Sequence, residues 1–334
     1  MKLERIASRF TAIRVVVAST LLALAIVAVG AIPAAEASKK EKYEEAFHRT
    51  ETLAPDGKVY LSNISGNVKI LVWNRNEVKI DAVKVSEAGS LEKAKANAAL
   101  VKIEINRKDS QLDIATKYPE GRWTKSTLSV SVDYILTIPA KAGVTVNNIS
   151  GNVDAENMDG LVKLLAVSGN ITAAKCTNNG VFNAVSGCIN LRDMAGDVKA
   201  RTVSGDISIE RVAGSLNVET VSGKVDATDL SNVGSADINV HSGNILFDGA
   251  LNPSGRYSLE THSGDITVSL PENAAFDFTC WTFSGDINSD FKAVVELSGK
   301  LKSSQHDIRG QVNGGGADLS VKTFSGDINL KKHG

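Results

Sequence analysis

The sequence predicts an all-β protein: a β-solenoid of stacked two-strand coils of about 18–21 residues, preceded by a β-rich N-terminal cap with one short helix. Two observations carry this. A Ser-Gly pair recurs at Ser150, Ser168, Ser186, Ser204 and Ser222 at intervals of 18 residues, then at Ser242, Ser263 and Ser284 after 20, 21 and 21, and at Ser325 after a further 41. Counting two residues on from each glycine gives Val153, Ile171, Ile189, Val198, Ile207, Leu216, Val225, Ile245, Ile266, Ile287 and Ile328, with no polar exception. A column that is always apolar in a strand-period pattern faces a core.

The chain begins as an export signal would. Lys2, Arg5, Arg9 and Arg14 form a basic start, Val15 to Ile32 is an apolar run, and Ala35-Glu36-Ala37 offers a small-x-small cleavage pattern. Residues 1–37 read as a signal peptide cleaved after Ala37, with an uncleaved membrane anchor as the competing reading, because about 20 apolar residues span a bilayer. No cysteine lies near the cut, which excludes a lipoprotein-type anchor. Removal of this segment takes away four positive and two negative charges, so the net charge moves from −1 to −3. A chain without a basic tail is not a nucleic-acid binder.

Residues 38–49 read as a linker and 50–143 as the capping region. The latter holds one copy of the corner, Asn63-Ile64-Ser65-Gly66-Asn67-Val68, and alternating apolar residues in "NEVKIDAVKV" and "STLSVSVDYILTIP". Between these, "SLEKAKANAALVKI" opens on a serine and has helical density, which predicts a helix near 90–100. A solenoid exposes strand edges at its ends, and a differently built segment over the first coil protects them.

Residues 144–332 read as the solenoid. Gly151, Gly160, Gly169 and Gly187, Gly196, Gly205, Gly214, Gly223 fall on a nine-residue grid, so each unit has two similar halves. Nine residues supply one strand of about five or six residues and a turn. Repeats of this period bury their apolar edges only by stacking, and nine or ten coils about 4.8 Å apart make a rod ~45 Å tall. Gly151, Gly169, Gly187, Gly205, Gly223, Gly243, Gly264, Gly285 and Gly326 mark the turn, where positive φ or close backbone approach excludes a Cβ. The flanking Ser and Asx bond the local backbone. Lys331 and Lys332, following the last strand of the sequence, are expected to discourage end-to-end stacking.

"NISGNVKILVWNRNEVKI", "VDYILTIPAKAGVTVNNISGNV", the SG[DN]I series and "GGGADLSVKTFSGDINL" together resemble the bacterial putative-adhesin family of β-strand-repeat proteins, domain of unknown function family 4097. The resemblance covers about residues 50–332 and implies an exported or envelope-attached β-solenoid with no catalytic residues to transfer. The chain departs from the repeat at Cys188 and Lys224, where Asp or Asn is usual, and near Ser304, where the expected glycine is missing.

Calcium between stacked turns would use Asp265 and Asp286, expected to be ladder neighbours, but each corner has one glycine and the carboxylate follows it directly, unlike the calcium β-roll repeat. His241 and His262 occupy one corner position in consecutive coils and are a candidate metal pair. The same column holds Val203, Val221, Phe283 and Phe324, so it reads as a packing position, and two histidines alone make a poor site. Asp206, Asp265, Asp286 and Arg201 supply the residue types of a polysaccharide-active β-helix enzyme, yet these acids sit in the corner motif. The sequence has no G-x-S-x-G, H-E-x-x-H or P-loop. The three cysteines, Cys176, Cys188 and Cys280, read as small apolar residues and not as a disulfide framework.

The expectation is therefore a non-catalytic, adhesin-like surface-interaction module without a cofactor. It would be exported to the periplasm, the outer surface or the medium, and would contact a surface glycan or an envelope protein. The Thr202, Thr220, Thr261, Thr282 and Thr323 ladder is expected to supply part of that polar surface. A passive envelope spacer or regulatory ectodomain, and a polysaccharide-active enzyme, are the alternatives.

Overall fold

Each coil of the chain lays one strand into each of two parallel sheets, and the Ser-Gly corner joins them. In the computed structural model, which describes residues 40–119, 128–295 and 307–333, the 18-residue period is the coil. Ser150, Ser168 and Ser186 are in-register partners in the first sheet, and Val153, Ile171 and Ile189 in the second. The expected signal peptide at 1–37 and Ser304 lie outside the described residues.

The column two residues after each Ser-Gly corner is the core of the second sheet, while Val198 and Leu216, two residues after the half-period glycines Gly196 and Gly214, line the first. Ile171, Ile189, Ile207, Val225, Ile266 and Ile328 are wholly buried, facing Val162, Leu164, Phe182, Ala200, Val218, Ile238 and Leu259 from the first sheet. Ile287 is the half-buried member, because its coil is the last of the stack.

Spatial order departs from chain order at both ends. The C-terminal coil, Ala317–Ser325 with Ile328–His333, is inserted between the coil of Arg256–Ser263 and Ile266–Pro271 and that of Phe276–Ser284 and Ile287–Ser289. Lys331 and Lys332 are therefore inside the stack, partnered with Ser269 and Leu270, and not at its end as expected. At the other end, Lys58–Ser65 with Val68–Trp73 lies between the coil of Gly143–Ser150 and Val153–Glu156 and an outer coil formed by Gln111–Lys117 and Val130–Pro139. The capping region thus contributes two coils of its own, and with the nine of the repeat region the described residues stack eleven.

Antiparallel strands close the ends. Glu77–Ala88 pairs with Val130–Pro139 and is itself covered by Glu41–Thr52, so most of the stretch expected to be a linker is strand. Lys102–Lys108 covers Gln111–Lys117, and at the far end Asp307–Val312 covers Phe276–Ser284. Helix α1, Leu91–Leu100, begins where the sequence places it: the Ser90 side chain accepts the Lys93 N–H at 3.3 Å, and Ala94 and Ala98 are buried. Among the described residues, no helix is long and apolar enough to cross a membrane.

Candidate functional site: a grooved face beside the Ser-Gly ladder

Gly205 shows what the corner demands. Its φ is +153°, and a Cβ there would lie 2.2 Å from the carbonyl oxygen of Gly187 in the neighbouring coil. All nine glycines predicted to turn the chain have positive φ. The Gly205 N–H donates to the Ser222 carbonyl at 2.9 Å, carrying the ladder through the turn.

The residue after glycine explains the Asx preference. The Asn152 side-chain oxygen accepts the Asn170 N–H at 2.9 Å, and the Asp206 carboxylate accepts the Lys224 N–H at 2.9 Å. Asn244 accepts from Asp265 at 2.9 Å, Asp265 from Asp327 at 2.9 Å, and Asp327 from Asp286 at 2.8 Å. Asp265 and Asp286 are thus separated by Asp327, which corrects their expected adjacency. The inserted coil is the cause. Cys188 and Lys224 have no acceptor oxygen and leave gaps in this ladder.

The threonine ladder points inward and is not the exposed polar surface expected of it; Thr202, Thr220, Thr261 and Thr323 lie beneath the grooved face. Thr202, Thr220, Thr261, Thr282 and Thr323 are buried, and each hydroxyl bonds a corner glycine carbonyl, as Thr220 does to Gly205 at 3.3 Å and Thr323 to Gly264 at 3.0 Å. Asn148 takes the same role at an earlier coil, donating to Gly151 at 2.8 Å. Three residues before glycine points inward, so two residues before it points out.

That outward column is what the sequence reading missed. Ile149, Val167, Val185, Val203 and Val221 are between 43 and 49% exposed, and the column continues through His241, His262, Phe324 and Phe283. Val203 and Val221 keep step with the buried column in sequence and read there only as a packing position, with nothing to mark them as outward. The glycine corner resets the parity of the strand, leaving them outside. The rings stack along the rod: His241 on His262 at 5.1 Å, His262 on Phe324 at 4.9 Å, and Phe324 on Phe283 at 4.7 Å, with planes within 12° of parallel. Imidazole lone pairs lie in the ring plane, so two parallel rings do not aim theirs at one ion. The histidines are members of a packing ladder that happens to face solvent.

A second outward column, four residues before glycine, runs alongside: Asn147, Leu165, Asn183, Arg201, Glu219, Asn239, Glu260, Lys322 and Trp281. Between the two columns lies a groove of about 710 Å³ beside Arg201 to Phe324, continued by about 210 Å³ beside Asn147 to Val185. One terminal nitrogen of Arg201 donates to Glu219 at 2.5 Å, so the guanidinium named for sugar chemistry already holds one carboxylate within the chain.

The opposite edge of the second sheet carries a further ladder. Asn157, Lys175, Asp193, Arg211 and Asp229, spaced by 18, all have φ between +53° and +61°. Arg211 donates to the Asp193 carboxylate at 2.6 Å, and that hydrogen bond holds the Asp193 carboxyl below its ordinary value. Asn and Asp tolerate this left-handed conformation, whereas Lys and Arg give no sequence signal for it.

A two-sheeted parallel solenoid with a Ser-Gly-Asx ladder along one edge defines the class. The chain belongs to the Toastrack DUF4097 family, whose model matches residues 61–331. Solved structures similar to it include a "putative lipid binding protein" of Parabacteroides distasonis, 12% identical, covering 86% of this chain and 96% of that one with a TM-score of 0.43. A "putative adhesin" of the same organism is 11% identical, covering 86% and 97%, with a TM-score of 0.41. A "putative adhesin" of Bacteroides fragilis is 11% identical, covering 86% and 97%, with a TM-score of 0.40. No curated protein matches the chain.

Proposed function

We propose that the chain is an exported cell-envelope β-solenoid whose work is surface contact and not catalysis, with the groove beside the Ser-Gly ladder as its binding face for an envelope protein or a surface glycan. The observation that carries the reading is the uninterrupted outward column from Ile149 to Phe283. At about 4.8 Å per coil and ~10 Å across, it amounts to on the order of 400 Å² of aliphatic and ring surface, seven apolar residues and two imidazoles, in the size range of the largest exposed patch on a monomer, which is often functional. The corner acids support the non-catalytic side: Asp206 and Asp265 each hold a backbone N–H of the next coil, which accounts for them as structure. The basic start, apolar run and Ala35-Glu36-Ala37 support export.

The test is binding of the mature protein to isolated envelopes and to a glycan array, beside a reducing-sugar assay. Val203→Asp and Phe324→Asp are expected to weaken binding by about tenfold or more, Val203→Asp with little change in melting temperature and Phe324→Asp with a modest fall as its stacking on His262 and Phe283 is lost. Unchanged binding in both variants overturns the groove as the binding face, and new reducing ends overturn the non-catalytic reading.

A further inference from the structure

We infer that the grooved face takes a second copy of this chain, packed side by side and antiparallel, so that the adhesive contact of the proposed function includes a homotypic one. The argument lies in the order of residues along the two outward columns as the fold stacks them. After Asn147 and Ile149, whose coil lies outside the overlap of the contact, the column four before glycine reads Leu165, Asn183, Arg201, Glu219, Asn239, Glu260, Lys322, Trp281, and the column two before glycine reads Val167, Val185, Val203, Val221, His241, His262, Phe324, Phe283. Both sequences depend on the inserted C-terminal coil, which sets Lys322 beside Glu260 and Phe324 beside His262.

A two-fold axis across the rods, in the plane of contact and between the coils of Val221 and His241, lays each column on its own copy. It sets Arg201 opposite Glu260 twice, Glu219 opposite Asn239, Asn183 opposite Lys322 and Leu165 opposite Trp281. In the apolar column every ring then meets a valine: Phe283 with Val167, Phe324 with Val185, His262 with Val203 and His241 with Val221. Glu260 is exposed, and no ion pair within the chain holds it among the described residues. The contact is isologous, as a closed dimer requires.

Other registers are worse for stated reasons. Sliding by one coil juxtaposes Arg201 with Lys322 and Glu219 with Glu260 in one direction, and Glu219 with itself in the other. Sliding by two in one direction sets Arg201 on Glu219, which it already holds within the chain, but puts Glu260 on Leu165 and leaves Trp281 and Phe283 outside the contact; in the other direction it cuts the overlap from eight coils to six. A parallel arrangement either lays the apolar column on the charged one or leaves the charged one outside the contact. Eight coils at about 4.8 Å and ~12 Å of width bury on the order of 400 Å² per copy, about half of a standard interface, so the dimer is weak and concentration-dependent.

Sedimentation equilibrium of the mature chain between about 1 and 500 μM tests this, with melting temperature as the folding control. The wild type is expected to dimerise within that range. Glu260→Arg and Arg201→Glu each bring like charges together at two symmetric sites and should weaken the dimer by about tenfold or more, while the double variant restores it to within about threefold of wild type. A monomer at every concentration overturns the inference, as does a double variant no tighter than the singles. If the wild type stays monomeric while Val203→Asp still weakens envelope binding, this inference fails and the proposed function stands.

Discussion

Replacing Gly205 by alanine should be among the most damaging single-methyl additions available to this fold. The new Cβ would sit 2.2 Å from the Gly187 carbonyl oxygen, so the two coils must separate by about 1 Å to reach ordinary contact. That motion strains the bonds joining them, Gly187 N–H to the Ser204 carbonyl and Ile189 N–H to the Asp206 carbonyl, both 3.0 Å. Two such bonds contribute about 1 kcal/mol each, and a non-glycine residue in this part of φ/ψ space costs about 1–3 kcal/mol. The sum is about 3–5 kcal/mol, a large part of the ~5–15 kcal/mol that holds a domain together, and corresponds to a fall of about 5–8 °C in melting temperature for a chain of this length. Gly234→Ala is the control, because the nearest atom to its new Cβ is the Gly214 carbonyl oxygen at 4.0 Å. Its effect should stay within about 0.5 kcal/mol. Thermal melts should be read together with native-state hydrogen exchange, since a stacked array opens locally before it unfolds globally. A Gly205→Ala protein melting within about 2 °C of wild type would refute the account of the corner, as would equal damage from Gly234→Ala.

Ile207→Ala, at a fully buried position, is expected to cost about 2–5 kcal/mol, and the neighbouring exposed Ser208→Ala close to nothing, read by the same melts. Burial pushes the hydroxyls of Tyr118 and Tyr134 up to about 12. A group whose pKa is higher folded than unfolded stabilises the fold fully below the unfolded value, here about 10, and that contribution is lost as pH rises through about 12. Melting temperature should therefore fall between about pH 10 and 12 with a slope that Tyr134→Phe reduces, and an unchanged slope would count against it. Cys188, half-buried on the corner ladder, should react with a maleimide first, whereas burial raises the thiol of Cys176 and pushes that of Cys280 up to about 12, so labelling of either before Cys188 would contradict the packing.

The coil was legible because its determinants are local. A glycine that must accept a neighbour's carbonyl, an Asx that captures the next N–H and an aliphatic residue two places on all fall within five consecutive residues, and their period gives the stack. The helix start was legible for the same reason, with Ser90 supplying the cap. The direction of the threonines was not. Thr202 and Val203 are adjacent, one inward and one outward, and a strand propensity shared by both residue types says nothing about which. Only the hydroxyl's bond to a glycine carbonyl settles it, and that partner is 15 residues away for Thr202.

Coil order at the ends was illegible for a deeper reason. The coils at Ser284 and Ser325 carry the same Thr-Phe-Ser-Gly-Asp-Ile, so either can pair with Ser263 at equal local quality, and the choice rests on what else each must satisfy. The Ser284 coil pairs with the antiparallel Asp307–Val312 strand, with Phe276 opposite Val312 and Cys280 opposite Ile308, while among the described residues Ala317–Ser325 has parallel partners on both sides and no antiparallel cover. An outermost coil needs such a cover, because a bare parallel edge invites pairing with another chain. Placing the last coil of the sequence inside the stack leaves the end to a coil that has its cover. The N-terminal end solves the same problem in the same way, with Gln111–Lys117 outermost beneath Lys102–Lys108 and the earlier Lys58–Ser65 tucked inside. Edge protection therefore selects the order that the repeats leave open, and that order in turn brings Lys322 and Phe324 into the grooved face.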